Sequence, residues 1–460
     1  MSALTFLGAA QTVTGSRHLL RTSAGHRVLV DCGMFQGLKA LRERNWQGLG
    51  VATSEIDAVL LTHAHLDHVG WLPRLVASGY RGRVYCTPGT RDLCTLVLPD
   101  AGRIQEEDAR QANKHGYSRH APAKPLFTED DARRALTLLQ PVSYGVPLQV
   151  VPGLTAEFIR AGHLLGSSFI RVTQDDAPQT ILFGGDLGRY GRPVLPDPEP
   201  VEYADVLLVE STYGNRTHGP DDDGASLAEV IVKTHERGGR LVIPSFAIGR
   251  VEELLYWLQR LEKEARIPSM PTYVDSPMAA EALQFYSSRP DELDPDMRPV
   301  HRGPMFDTRR LHVIKDTEES KALTNSSGPA LIISSSGMAT GGRVLHHLKR
   351  LLPDPKNTVL FVGYQAAGTR GRLLVDGART VKIHGEVIPV AAQVVRNDQM
   401  SAHADRDEIL RWLRGFKRPP ARTFLVHGEP EAMGALAASI TETLGWNVHQ
   451  PQHREHVELG

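Results

Sequence analysis

Apolar residues gather along this chain in short runs rich in Val, Ile and Leu. Many of the runs stop at a side chain able to bind a metal or carry a proton. HRVLVDCG stops at Asp31, DAVLLTHAHLDH at a histidine cluster, and TAEFIRAGH at His163. TILFGGD stops at Asp186, ADVLLVE at Glu210 and RTFLVHG at His427. Runs this short, β-branched and bounded by Gly or polar residues predict buried strands. Between several of them the period becomes helical, as in RVEELLYWLQRLEKEA (250–265) and ADRDEILRWLRGF (404–416). The alternation predicts an α/β layered fold. In such folds a site forms from groups at the carboxyl ends of strands, where loops gather. One Asp at a strand end is usually a turn or a helix cap, but several such residues accompanying a histidine cluster call for another explanation.

The punctuation changes from about residue 206. LVIPSFAIGR, TYVDSPMA, LIISSSGMATGGR and TVLFVGYQAAGTRGR are again strand–turn–helix units, but their turns carry small residues and an Arg in place of His. The chain then returns through VKIHGEVIPVAAQVV to segments bearing His403 and His427. This pattern predicts one α/β domain inserted into another: a first domain in two parts, 1–205 and 376–460, interrupted by a second at 206–375.

Composition narrows the function classes. The chain has 460 residues, 41% of them hydrophobic, enough for a large core and two or more domains. Its formal net charge of −1 gives no global basic signature, so a polyanionic partner would have to meet local basic patches. Cys32, Cys86 and Cys94 include no C-x-x-C and no disulfide framework, which fits a reducing cytoplasm. The N-terminus lacks the basic-then-apolar pattern of a signal peptide, and no run of about 18 apolar residues predicts a membrane span. Oligomeric state is left open, a homo-oligomer included.

The densest chemistry lies in LLTHAHLDHVG (60–70), with His63, His65, Asp67 and His68 in six positions. In extended chain His63 and His65 point the same way, whereas the neighbours Asp67 and His68 diverge. One metal cannot easily take all four. Two adjacent metals can, each using part of the cluster and sharing a further carboxylate. Imidazole and carboxylate donors without thiolate suit Zn²⁺, with Mn²⁺ or Fe as alternatives. A lone His would read as a satisfied core residue, but H-x-H-x-D-H directly after a strand does not.

This motif resembles the signature of the metallo-β-lactamase superfamily. Glu210 in VEST, His403 in SAHAD and His427 in VHGE resemble the three added motifs of its β-CASP nucleases. GAAQTVTGS (8–16), DSPMA and SSSGM are similar to the branch holding the pre-mRNA 3′-end cleavage factor and its bacterial relatives. The resemblance covers essentially the whole chain. It implies an αβ/βα sandwich interrupted by a β-CASP domain, and two Zn²⁺ per chain, Mn²⁺ being an alternative. The first ion would take His63, His65, His163 and a bridging Asp186, and the second Asp67, His68, Asp186 and His427. Asp31 would orient a ligand, and Asp31 and Asp67 count with the catalytic machinery. A hydroxide shared by two metals would attack phosphorus and leave a 5′-phosphate and a 3′-hydroxyl. His403, held by Glu210, would supply the leaving oxygen with a proton. Locally, SAHADRDEI also reads as a helix start capped by Ser401 or Asp405. The resemblance also implies RNA over DNA, since DNA-processing members of the family lack a His at the motif of His427, and single-stranded RNA is the expected partner.

The turns of the insert offer candidate phosphate contacts: Ser335 and Ser336 with Arg343, Arg370 and Arg372 in GTRGR, and Arg250 in FAIGR. Tyr117, in the basic stretch HGYSRHAPAK, could stack a base, though a solvated loop is the simpler reading. Two alternatives stand beside the ribonuclease. One is a metal-dependent hydrolase of a small ester, thioester or lactam, which leaves the insert without a task. The other is a non-catalytic RNA-binding subunit, against which the full ligand set argues. Endonuclease and exonuclease action are not separated.

Overall fold

The structure, a computed structural model, describes residues 1–116, 121–175, 179–219, 222–297, 305–363, 365–366 and 368–459. Tyr117 lies outside them. The chain forms two compact units, Met1–Thr217 with His403–Gly460, and His218–Ala402.

The first unit is a sandwich of two seven-stranded sheets. One sheet runs His456–Glu458, Ala3–Phe6, His18–Arg21, Arg27–Val30, Ala58–Leu60, Arg83–Cys86 and Leu139–Pro141. The other runs Val448–His449, Arg422–Val426, Val206–Glu210, Thr180–Phe183, Ser168–Gln174, Leu154–Arg160 and Leu148–Val151. Their inner faces meet in one core, where Leu4, Phe6, Val30 and Leu60 pack with Phe158, Ile170, Phe183, Leu208 and Phe424. Outside the second sheet, Trp412, Leu413, Met433 and Leu436 of two helices cover Leu182, Leu207 and Leu425. The helix Pro88–His115 contacts the edge strand of the first sheet. Four layers result, helix–sheet–sheet–helix. The order follows from burial: Val206–Glu210 and Thr180–Phe183 are apolar on both faces and must be covered on both.

The second unit centres on a six-stranded, all-parallel sheet. Its order is Leu311–Val313, Thr272–Asp275, Ala330–Ser334, Arg240–Pro244, Thr358–Val362 and Gln393–Asn397. Parallel pairing requires crossovers, supplied by helices such as Arg250–Lys263 and Val344–Leu351.

This unit begins and ends later than the 206–375 read from the sequence. Val206–Glu210 pairs in parallel with Thr180–Phe183 and with Arg422–Val426, so it is a central strand of the first unit. The segment after 375 instead supplies a hairpin, Thr380–Ile383 with Glu386–Pro389, and the edge strand Gln393–Asn397. Hydrophobic period identifies a strand but not the sheet that takes it. Among the described residues no helix is long and apolar enough to cross a membrane.

Candidate metal centre

The first unit collects its chemistry at one end of the sandwich, where strands deliver residues separated widely in sequence. After Ala58–Leu60 the chain runs through Thr62 and His63 to His65, then into the one-turn helix Leu66–Val69 that carries Asp67 and His68. His163 follows Leu154–Arg160, Asp186 follows Thr180–Phe183, and His427 follows Arg422–Val426. The loop after Arg27–Val30 packs against the histidine helix: the N–H of Cys32 donates to the His68 carbonyl and that of Met34 to the Leu66 carbonyl. Gly33 is required here, since a Cβ would stand 1.6 Å from the Asp67 carbonyl oxygen. Asp31 and His427 both adopt positive φ, 60° and 50°. Non-glycine residues adopt this backbone at some cost, and such strain gathers at functional sites.

Two groups of donors form. His63 Nε2 lies 3.0 Å from His65 Nδ1, and His163 Nε2 lies 3.2 Å from the same atom. Asp186 Oδ2 is 3.4 Å from His63 Nε2 and 3.5 Å from His163 Nε2. In the second group His68 Nε2 and Asp67 Oδ2 each lie 3.3 Å from His427 Nε2. The other oxygen of Asp186 is 3.3 Å from His68 Nε2 and 3.5 Å from His427 Nδ1. The carboxylate of Asp186 thus lies between the groups, one oxygen toward each.

A metal fits this arrangement. Burial first, and the charge on His68 next, keep His63 neutral well below the usual histidine range, and burial pushes His65 down to about 4. Neutral imidazoles with nitrogens about 3 Å apart are better served by a shared cation than by one another. Asp186 Oδ1 is buried without a hydrogen-bond donor in acceptable geometry, a costly state for a carboxylate unless a cation faces it. Burial opposes charge on His68, but Asp186 and Asp31 outweigh it and hold that imidazole protonated well above its ordinary value. A metal at Nε2 would take over that positive charge.

Around the donors stands a shell of orienting groups. Asp31 Oδ2 lies 2.7 Å from His68 Nδ1 and accepts from Ser16 Oγ at 3.1 Å, while Oδ1 accepts from the Thr62 N–H at 2.9 Å. Thr62 Oγ1 lies 3.1 Å from His63 Nδ1, and Thr212 Oγ1 lies 3.1 Å from His427 Nδ1. His403 Nδ1 sits 3.1 and 3.2 Å from the two oxygens of Glu210 and 3.8 Å from Asp186 Oδ2. Burial disfavours its charge, yet Glu210 and Asp186 prevail and push it up to about 9. His65, Asp67 and His403 keep partial exposure, whereas His63, His68, His163, Asp186, Glu210 and His427 are buried.

All the residues expected to bind metal or move protons therefore lie together in the first unit. The Ser and Arg residues expected to grip phosphate lie in the second, and most have internal partners. Arg250 is buried and pairs with Glu253 at 2.6 Å, and Arg343 donates to the buried Asp275 at 2.8 Å. Arg370 donates to the Lys382 carbonyl at 2.9 Å and to that of Ala339. Ser335 bonds Ser276 at 3.0 Å and Ser336 bonds Thr340 at 3.1 Å. Arg372 is the most exposed of the arginines, with Asp376 at 2.8 Å one helical turn away. A guanidinium between two oxygens looks the same in sequence whether they belong to a ligand or to the fold. The orienting Ser16, Thr62 and Thr212 were not read from sequence as functional. Ser16 and Thr212 end the stretches GAAQTVTGS and VEST and Thr62 directly precedes His63, but a hydroxyl there reads equally well as a turn.

Comparison with known proteins agrees with this geometry. The metallo-beta-lactamase superfamily profile matches residues 18–229, the Beta-Casp domain 251–374, and the Zn-dependent metallo-hydrolase RNA specificity domain 387–451. The chain is 42% identical to "Ribonuclease TTHA0252" of Thermus thermophilus, over 93% of this chain and 94% of that one. It is 32% identical to "Transcription termination factor FttA" of Methanocaldococcus jannaschii, over 99% of this chain and 71% of that protein. A solved structure, that of a protein of unknown function from Enterococcus faecalis, shares the fold with TM-score 0.54 at 13% identity, covering 99% of both chains. With fold, motifs and relatives in agreement, the chain belongs to the β-CASP ribonuclease family of the metallo-β-lactamase superfamily, a family of metal-dependent nucleases.

Proposed function

We propose that this enzyme hydrolyses phosphodiester bonds of single-stranded RNA at a two-metal centre, with Zn²⁺ the metal its donors suit best. The observation that carries this reading is the Asp186 carboxylate, which offers one oxygen to each of two imidazole groups. His63, His65 and His163 with Asp186 would hold one ion, and Asp67, His68 and His427 with Asp186 the other. Bound there, the pair of ions would lower the pKa of a water and neutralise the charge gathering on the phosphodiester oxygens. By accepting the Nδ1 proton of His68, Asp31 leaves Nε2 to face the metal. Glu210 does the same for His403, so the proton to be handed on is the one at Nε2. His403, protonated through its two carboxylate neighbours, donates that proton to the departing 3′-oxygen. The products are a 5′-phosphate and a 3′-hydroxyl. RNA as substrate is supported by the ribonuclease among the relatives and by the match to an RNA specificity domain.

The test is digestion by the purified full chain, with Zn²⁺ and with chelator. Substrates are end-labelled linear RNA, circular RNA, duplex RNA and a chromogenic lactam. Chelator-sensitive cleavage of the single strands supports the proposal, and opening of the circle assigns endonuclease action. Lactam turnover with intact RNA would favour the small-substrate alternative.

A further inference from the structure

Behind the metal donors, between the two sheets of the first unit, lies a small cavity of about 10 Å³. Its polar lining is Ser16, His18, Asp31, Thr62, His68 and His427. His18, on the strand His18–Arg21, is only 4% exposed and packs between the rings of Phe6 and Phe183, with centroids at 5.7 and 6.4 Å. No hydrogen-bond partner meets its buried Nδ1. An unpaired nitrogen beside apolar rings is destabilising, and His18 is one of the residues lining the cavity, so an occupant there can pair it. The volume is that of about one water, and a water needs two to four polar partners.

We propose that this cavity holds one ordered water bridging His18 Nδ1 to Ser16 Oγ, making His18 a positioning residue for the metal ligand His68. Ser16 Oγ donates to Asp31 Oδ2 at 3.1 Å, so its lone pairs can accept from the water. The same Asp31 oxygen lies 2.7 Å from His68 Nδ1. A chain His18–water–Ser16–Asp31–His68 therefore runs from the sandwich core to the imidazole that faces the metal. Other occupants fit less well. A cation is disfavoured because Asp31 already serves Ser16, Thr62 and His68, and an apolar guest would leave Nδ1 unpaired.

The inference rests on the reading of His68 as a metal ligand, and the experiment separates the two. Zn²⁺ affinity of the full chain is measured by competition with a chromophoric chelator, for wild type, His18→Phe and His18→Asn. Phe keeps the ring and loses the polar atom, whereas Asn keeps a polar atom near the Nδ1 position. His18→Phe should bind the weaker-held Zn²⁺ about 10-fold less tightly, the low end for groups that orient a ligand. Its metal-free unfolding midpoint should be unchanged or higher, and His18→Asn should stay within about 3-fold of wild type in affinity. A crystal structure of the Zn²⁺-loaded wild type at atomic resolution should show a water within hydrogen-bonding distance of His18 Nδ1 and Ser16 Oγ. Wild-type affinity in His18→Phe, or a dry cavity, overturns the inference. Should His18→Phe fail to fold, the crystal structure decides alone. A wild type that binds no Zn²⁺ overturns the metal-centre reading instead.

Discussion

His403 Nδ1 and the Glu210 carboxylate stand 3.1 Å apart although 193 residues separate them in sequence. Glu210 is wholly buried, and its Oε1 also accepts from the N–H of Leu187, next to Asp186, at 2.6 Å. One carboxylate thus ties His403 to the backbone beside Asp186. His403→Ala should slow RNA cleavage by about 10²–10⁴-fold, the usual contribution of a positioned acid. Its metal content, read by elemental analysis, should equal that of wild type. Loss of metal in this variant would make His403 a ligand.

Asp186 offers the sharpest test of the shared-ligand arrangement. Elemental analysis of the wild type should give two ions per chain. Asp186→Ala should lower occupancy of both sites, because its two oxygens face different donor groups. His427→Ala should empty chiefly one site, with Asp67 and His68 losing their partner. One ion per chain in fully active wild type would rule the arrangement out.

In the second unit, pH should act through Glu252. This residue lies in the helix Arg250–Lys263 and is wholly buried. Burial pushes its carboxyl up to about 8, against the smaller pull of the backbone amides of Glu252 and Gly249 and of Arg250. The folded chain therefore holds a proton there that the unfolded chain releases near pH 4.5. Stability is fullest below 4.5, falls as pH rises toward 8, and levels off above it. The total loss should be on the order of 5 kcal/mol, the shift from 4.5 to about 8 at roughly 1.4 kcal/mol per pH unit. Glu252→Gln should flatten this slope in thermal melts between pH 5 and 9 and raise the midpoint at pH 9. An unchanged slope would place the carboxyl in contact with water.

Arg370 and Arg372 should separate, though only one residue lies between them. Arg370 spends its guanidinium on two backbone carbonyls, so Arg370→Ala should lower the melting temperature, at a cost of about 1–3 kcal/mol for the acceptors left behind. Arg372, exposed on its helix, should barely affect stability. Arg372→Ala should weaken RNA binding, and its salt slope should fall by about 0.7, the share of one single-strand phosphate contact. Hydrolysis of bis(p-nitrophenyl) phosphate should hold steady, because that substrate is too small to need the second unit. Salt slopes identical to wild type would leave Arg372 without a role in the strand.

The chain announces its chemistry where that chemistry is local. His63, His65, Asp67 and His68 fall within one strand exit and one helical turn, so their spacing alone implied more than one metal. The strands ending at Asp31, His163, Asp186, Glu210 and His427 were legible for a similar reason, since a buried strand must be apolar and the break at its end is visible. What pattern cannot carry is partnership across the sandwich. Val206–Glu210 reads as a strand of either unit, and only its parallel pairing with Thr180–Phe183 and Arg422–Val426 assigns it to the first. Arg343 and Arg370 read as candidate phosphate contacts, and nothing in the sequence signals that the Asp275 carboxylate and the Lys382 carbonyl bond them. His18 reads as an ordinary strand residue, and only the closing of the two sheets places it at a cavity shared with Asp31 and His68. Local sequence sets which groups are available and the period on which they point. Their hydrogen-bonding partners, and hence their charge and orientation, are set by contacts between residues far apart in the chain, which exist only once the sheets have packed.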